Sequence, residues 1–141
     1  MRYDRPLALA ILDVDHSKAI NDAHGYATGD QVLRMLSARL TNSLRRTDVV
    51  ARYGGEEFVV LMIETTSLQA TERIEQLRRT IAAESTEVYR LTVTVGFSAG
   101  VAGMRARDDR LGAATLLDRA DARLLTAKRE GRGRTIGDAA D

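Results

Sequence analysis

The feature that most constrains the fold is a short apolar run, Leu7-Ala8-Leu9-Ala10-Ile11-Leu12, that passes directly into Asp13-Val14-Asp15. A run of this length without polar alternation reads as a strand buried on both faces. Layers of structure must therefore lie above and below it. Asp13 and Asp15 are two residues apart, so they leave the strand on the same side.

The rest of the chain supplies those layers. Residues 18–24 have helical composition and stop at Gly25. A longer helix is expected from Gly29-Asp30, with Val32, Leu33, Leu36 and Leu40 as its apolar stripe and Leu44 near its end. Residues 48–53 and 57–63 are β-rich and separated by Gly54-Gly55, a hairpin signature in which the glycines are free to take positive φ. Residues 67–83 read as a helix with Ile74, Leu77 and Ile81 inward. Residues 91–102 read as one strand, with Gly96 as a bulge and Gly100 as a point of close approach. A charged loop at 105–112 leads to a helix at 113–129 whose core face is Leu116, Leu117, Ala120, Leu124 and Leu125. The order predicts an α/β layer fold with an antiparallel hairpin inside it. If the first strand neighbours the hairpin, the carboxylates and the diglycine turn meet, as in a metal–phosphate site.

Composition narrows what such a site can be. There is no cysteine, which removes disulfides, thiolate nucleophiles and cysteine-based zinc sites together. Six aromatics and no Trp leave an aliphatic core. The formal net charge of +1 excludes the broad basic footprint that a nucleic-acid duplex or a membrane surface requires. Lys128, Arg129, Arg132 and Arg134 form a local basic cluster suited to a few phosphates. The run 7–12 is too short to span a bilayer and the N-terminus has no signal-peptide pattern, so a cytoplasmic domain without membrane contact is expected. The 141 residues fit one domain, assigned to 1–137, with 138–141 as a disordered tail.

The strongest local signal is Arg52-Tyr53-Gly54-Gly55-Glu56-Glu57-Phe58. Two glycines at a hairpin tip let a nucleotide approach the backbone, and two acids directly after them can hold a hard cation that prefers oxygen ligands. An ordinary hairpin with surface acids is the plain alternative. The wider pattern favours the first reading. Asp13-Val14-Asp15-His16-Ser17-Lys18-Ala19-Ile20-Asn21-Asp22, followed by Gly25, Gly29 and Asp30, resembles the first signature of the GGDEF family of diguanylate cyclases. Gly54 to Phe58 is similar to the second, with Glu at its third place. Gly100-Val101 resembles the family's strand-end glycine, and Asp121 through Lys128, Gly131, Arg132 and Arg134 its C-terminal signature.

That resemblance, which covers nearly the whole chain, implies a central five-stranded mixed sheet flanked by helices, similar to nucleotide cyclases and polymerase palms. It implies condensation of two GTP into cyclic di-GMP with release of two pyrophosphates. By motif match Asp13 and Glu56 would be magnesium carboxylates, with manganese as the alternative ion and the Val14 carbonyl as a further ligand. Glu57 would support the metal or the 3′-hydroxyl. Asn21 and Asp30 would bind the guanine edge, Gly54 and Gly55 would border the nucleotide, and Lys128 and Arg132 would grip the β- and γ-phosphates. The last two are four apart, a spacing that a helix would place on one face. One GTP per domain implies a homodimer for catalysis.

Arg45-Arg46-Thr47-Asp48 lies five residues before Gly54 and matches the family's RxxD inhibitory motif, implying a cyclic di-GMP site at Arg45 and Asp48. Arg offers a planar fork and Asp accepts from guanine donors; an Arg–Asp pair at a helix end is the plain alternative. Arg78 is a looser further contact. Three positions depart from the pattern: Ser17 for an aromatic, Tyr26 for His and Leu125 for Tyr. His16 and His24 read as structural or solvent-facing. The family's usual opening helix and short Leu-Thr-Gly-Leu-Asn-Arg-type segment before the first strand are not in this sequence, which therefore looks like part of a longer sensor-cyclase with an upstream sensor domain. An active cyclase is the first reading. A domain that binds cyclic di-GMP or GTP without turnover is the second, and a palm-like cyclase making another nucleotide, disfavoured by Asn21 and Asp30, is the third.

Overall fold

The computed structural model describes residues 5–105 and 112–137. The loop expected at 105–112 lies almost wholly outside the described residues, and the tail at 138–141 lies outside them. Along the described chain run β1 (Pro6–Val14), α1 (Ser17–His24), α2 (Tyr26–Ser43), β2 (Val49–Arg52), β3 (Glu57–Ile63) and α3 (Ser67–Ala83). β4 (Ser85–Val88), β5 (Leu91–Thr94), β6 (Phe97–Arg105), α4 (Gly112–Arg129) and β7 (Thr135–Ile136) follow.

Five strands form one sheet in the order β2-β3-β1-β6-β7. Its pairs are antiparallel except β6–β7, which is parallel, so this is the mixed five-stranded sheet that the resemblance implies. β1 is its centre and is covered on both faces, as its apolar run predicts. Ala8, Ala10, Leu12 and Val14 point into a cluster with Val32, Leu36 and Leu40 of α2 and Ile74 and Leu77 of α3. Leu9 and Ile11 point the other way, onto Leu116, Ala120 and Leu124 of α4. Each fully buried Leu or Ile stabilises the fold by about 1.5–3 kcal/mol, so the two faces of one strand tie all three long helices to the sheet.

Two close approaches set the layer spacing. A Cβ on Gly100 would lie 2.1 Å from the Ala120 carbonyl oxygen and 2.3 Å from the Leu124 nitrogen, so β6 touches the backbone of α4 directly. On the opposite face a Cβ on Gly103 would lie 2.7 Å from the Ser67 Cβ at the start of α3. The bounds of α3 match the expected 67–83 because its start is strongly specified. Thr66 Oγ1 accepts from the Gln69 N–H (3.1 Å) while the Gln69 side chain accepts from the Thr66 N–H (3.0 Å), a complete capping box.

Four details differ from the sequence expectations. α2 begins at Tyr26 rather than Gly29, because Gly25 at φ 89° makes the turn out of α1. Gly29 lies within the helix, where a Cβ would fall 1.7 Å from Asn21 Oδ1; it is there for packing rather than as a start signal. The strand expected over 91–102 is broken at Gly96, whose carbonyl accepts from the Asp15 N–H (2.9 Å), and its first part pairs with the unforeseen β4 in a separate two-stranded sheet. The turn joining β4 to β5 carries Tyr89 and Arg90 at φ 47° and 70°, so it gives none of the usual glycine or asparagine signal. β7 is also new; it is two residues long and is placed by β6, with the Ala99 N–H donating to the Arg134 carbonyl (3.0 Å).

Candidate active site

The site forms where β1 ends beside the β2–β3 hairpin. Register places Asp13 directly opposite Glu57, and odd-numbered β1 residues face α4, so Asp13 projects towards that helix. Like charges opposed across a strand pair repel, and an α4 cation offsets them: the Lys128 ammonium donates to Asp13 Oδ2. Asp13 Oδ1 is buried without a hydrogen-bond partner. Glu56, at the hairpin tip, accepts from the Ser17 hydroxyl at the first residue of α1, and its carbonyl accepts from the Val14 N–H (3.2 Å). Burial, then the charge of Asp13, pushes the Glu56 carboxyl above its ordinary range against the opposing pull of Lys128 and Arg132. Burial and Asp13 do the same at Glu57.

The loop after α4 brings Arg132 in. α4 ends at Arg129, so Arg132 does not share a helix face with Lys128, contrary to the expectation from spacing. A Schellman turn joins them instead. The Gly131 N–H donates to the Lys128 carbonyl (3.4 Å) and the Arg132 N–H to the Ala127 carbonyl (2.9 Å), with Gly131 at φ 113°. Reversal of the chain returns Arg132 to the side on which Lys128 projects, and both line a cavity of about 440 Å³ with Asp13, Val14 and Glu56. The first turn of α1 forms its other wall through His16, Ser17, Lys18 and Ala19. No side chain caps that turn, so its free N–H groups are available to an anion.

A second cleft of about 350 Å³ shares Ser17 and Glu56 with the first and is bordered by Asn21, Gly29, Asp30 and Gly55. Arg52 braces it: its guanidinium donates to the Gly55 carbonyl (2.7 and 3.3 Å) and lies 3.8 Å from Asp30 Oδ1, while Arg34 donates to Asp30 Oδ2 (2.9 Å). Gly54, at φ 127°, makes the hairpin turn in a conformation that L side chains rarely adopt, and a Cβ on Gly55 would meet nothing within 4 Å. Tyr26 borders the cleft but is 83% exposed, and His16 and His24 are exposed as expected.

Asp13, Val14, Glu56, Lys128 and Arg132 thus meet at one cavity, Asn21, Asp30 and Gly55 at the adjoining cleft, with Glu57 and Gly54 beside them. Arg45 and Asp48 lie at the opposite end of β2 and β3. There Asp48 turns inward: its side chain is fully buried, accepts from the Arg45 N–H (2.8 Å) and lies 3.7 Å from the Arg73 guanidinium. Arg45 donates to Thr65 Oγ1 (2.6 Å) and the Ile63 carbonyl (3.3 Å) and is 45% exposed. Arg78 forms a two-pronged pair with Glu75 (2.8 and 2.7 Å), which lowers the Glu75 carboxyl to about 2. Sequence reasoning missed the hold of Ser17 on Glu56, the Arg52 brace and the engagement of Asp15 with Ser98 and Gly133. The holds on Ser17 and Asp15 leave no local signal, because their partners are brought together only by the sheet order; Arg52 reaches Gly55 three residues on, and only its approach to Asp30 depends on the fold.

The donor set suits magnesium. Among the described residues no three acidic or histidine side chains gather as a metal cluster. Magnesium, however, is commonly held by one or two carboxylates plus substrate phosphates, and the partnerless Asp13 Oδ1 beside Glu56 offers such a pair.

Known proteins share this sequence pattern and this fold. Residues 1–134 match the family described as diguanylate cyclase, GGDEF domain. The chain is 39% identical over 128 residues to the diguanylate cyclase DgcP of Pseudomonas aeruginosa, covering 91% of this chain and 19% of that protein. It is 36% identical over 141 residues to the response regulator PleD of Caulobacter vibrioides, covering 96% and 30%. The chain therefore spans about a fifth to a third of the length of these relatives. Among solved structures, the GGDEF domain of DgcB from Caulobacter crescentus in complex with c-di-GMP superposes with a TM-score of 0.84 at 29% identity, covering 93% of this chain and 77% of that one. The active GGEEF domain of a Vibrio cholerae diguanylate cyclase gives 0.83 at 30% identity, with 94% and 82% covered. No described helix is long and apolar enough to cross a membrane. In sequence and in fold, this chain belongs to the GGDEF-domain family of diguanylate cyclases.

Proposed function

We propose that the domain binds one GTP with magnesium and, paired with a second copy, condenses two GTP into cyclic di-GMP. The observation that carries this reading is the convergence of Asp13, Glu56, Lys128 and Arg132 on one cavity that shares Ser17 and Glu56 with the Asn21–Asp30 cleft. In this reading Asn21 and Asp30 hold the guanine edge, and Arg52 and Arg34 aim the Asp30 carboxylate. The free N–H groups of the first α1 turn receive phosphate oxygens. Lys128 and Arg132 hold the β- and γ-phosphates and offset the charge of the leaving pyrophosphate. Asp13 and Glu56 hold the ion and Glu57 stands by the attacking hydroxyl. Bound magnesium would supply neutralisation of the α-phosphate and a more acidic 3′-hydroxyl. One cavity and one base cleft per chain serve one GTP, so the attacking hydroxyl comes from the nucleotide of a second copy.

The same proposal assigns product inhibition to the Arg45–Asp48 motif, with the exposed Arg45 as the contact and the fully buried Asp48, which faces no solvent, as its anchor rather than as an acceptor for guanine. What supports it is the half-exposed Arg45 guanidinium, fixed by Thr65 and by the buried Asp48 carboxylate. The test of the main reading is direct. Purified protein is incubated with GTP and magnesium, and the products are separated by chromatography. Cyclic di-GMP together with pyrophosphate is expected. GTP binding without cyclic di-GMP would instead mark a binding module, and a different cyclic nucleotide would refute the guanine assignment.

A further inference from the structure

Asp15 lies one residue beyond β1, nearly buried, and it does not line the 440 Å³ cavity. Both of its carboxylate oxygens are engaged by the chain itself. Oδ1 accepts from the Ser98 hydroxyl (2.6 Å), and Oδ2 accepts from the Gly133 N–H (3.1 Å). That N–H is shared with Ser98 Oγ (3.1 Å), and Ser98 is wholly buried. The contrast with Asp13, whose Oδ1 has no partner, is sharp: the two acids of one signature face different tasks.

What Asp15 holds is the loop that carries Arg132. Gly131, Arg132 and Gly133 are all in the positive-φ region, at 113°, 65° and 57°. For Arg132, a residue with a side chain, that conformation is unfavourable and persists only where the surroundings impose it. The Schellman turn fixes the loop as far as the Arg132 N–H. Beyond that point the next N–H, that of Gly133, is held by Asp15 and Ser98. The Arg132 guanidinium itself lies 3.8 Å from Asp15 Oδ1. Arg78 closes the loop from behind, 3.9 Å from where a Gly133 Cβ would stand.

We infer that Asp15 is a positioning residue for triphosphate binding: through Gly133 and Ser98 it locks the left-handed loop that aims Arg132 over the cavity. The inference rests on the reading of that cavity as the seat of the terminal phosphates of GTP. A locked loop lets Arg132 meet those phosphates without first being ordered, which improves affinity for the triphosphate and not for the base.

The experiment compares 3′-deoxy-GTP, which lacks the attacking hydroxyl, with 3′-deoxy-GMP, which lacks the β- and γ-phosphates. Both are titrated calorimetrically with magnesium into the parent, Asp15→Asn, Arg132→Ala and the double variant. Asp15→Asn is expected to lose about tenfold in triphosphate affinity, the scale of one charge-assisted contact, and nothing for the monophosphate. In the Arg132→Ala background the same change is expected to cost nothing further, because there is no guanidinium left to aim. Parent-like triphosphate binding, equal losses for both nucleotides, or additive losses in the double variant would each overturn the inference. A parent that binds both nucleotides equally would refute the triphosphate reading itself, and the inference with it. Should Asp15→Asn not fold, Ser98→Ala carries the test, with about a threefold loss expected for the triphosphate alone. No loss, or a loss shared with the monophosphate, would count against it.

Discussion

At the residue scale, Asp13 shows how much of the site follows from one position. It is the last inward-facing acid of a buried strand, opposed by Glu57, paired with Lys128, and left with one free oxygen. Asp13→Ala or Glu56→Ala removes one of the two carboxylates proposed to hold the magnesium ion. Loss of several kcal/mol of charge stabilisation predicts a fall in turnover of about a hundredfold or more, at about 1.4 kcal/mol per tenfold. Both side chains sit at element ends, so circular dichroism should show a folded protein; a folded variant with near-normal turnover would contradict the assignment. A second residue prediction concerns stability. The Glu75 carboxyl is lowered to about 2 from 4.5, first by its hydrogen bond to Arg78. A lowered folded value means that the pair stabilises the fold above the ordinary carboxylate range and ceases to do so as pH falls from about 4.5 towards 2. Glu75→Gln should therefore cost about 1 kcal/mol at pH 7, after allowance for solvent screening, and nothing further near pH 2. Thermal melts across that range check it; equal losses at both ends would contradict it. Asp13, Glu56, Asn21 and Lys128 were legible in the sequence because spaced signatures carry them. The tasks of Ser17, Arg52 and Asp15 were not, because each depends on a partner that only the fold brings near.

At the element scale, the strands and helices of the main sheet were legible wherever apolar period and punctuation agreed. β1, the hairpin at Gly54-Gly55 and the capped α3 are the clear cases. β4 and β7 were not: β4 pairs locally with β5, but its turn Tyr89-Arg90 carries no turn signal, and the two-residue β7 owes its pairing to contact with β6. Contact between β6 and α4 gives the sharpest element prediction. The three atoms nearest a Cβ at Gly100 are all backbone atoms of α4, at 2.1–2.9 Å, so no side-chain rotation relieves the clash. Gly100→Ala should lower stability by about 3 kcal/mol or more, at the upper end of overpacking costs, in chemical denaturation. A near-neutral variant would mean that α4 can shift and that the Lys128 placement is not fixed. The junction of α2 with β2 gives another. Arg45→Ala should weaken cyclic di-GMP binding by about tenfold to a hundredfold, and leave GTP turnover intact or raised through relief of product inhibition. It should also lower the melting temperature slightly, through the lost Thr65 and Ile63 contacts. Parent-like affinity in titration calorimetry would make Arg45 and Asp48 a structural pair alone.

At the scale of the whole molecule, the proposed reading gives each chain one seat for the phosphates and one for the base, the two adjoining spaces that the described residues form where β1 meets the hairpin. Two 3′-hydroxyls must attack two α-phosphates to close a cyclic dinucleotide, so a chain with one nucleotide can supply only half of the reacting groups. On the proposed function, assembly of two copies, site to site, is the step at which activity is set. The initial rate of cyclic di-GMP formation, followed by chromatography over a series of protein concentrations at saturating GTP and magnesium, tests this directly. The account predicts a rate that rises more steeply than linearly while protein is below the dimer dissociation constant, and becomes linear above it. No cyclic di-GMP at any concentration, or a strictly linear rate down to concentrations at which the protein is shown to be monomeric, would contradict it.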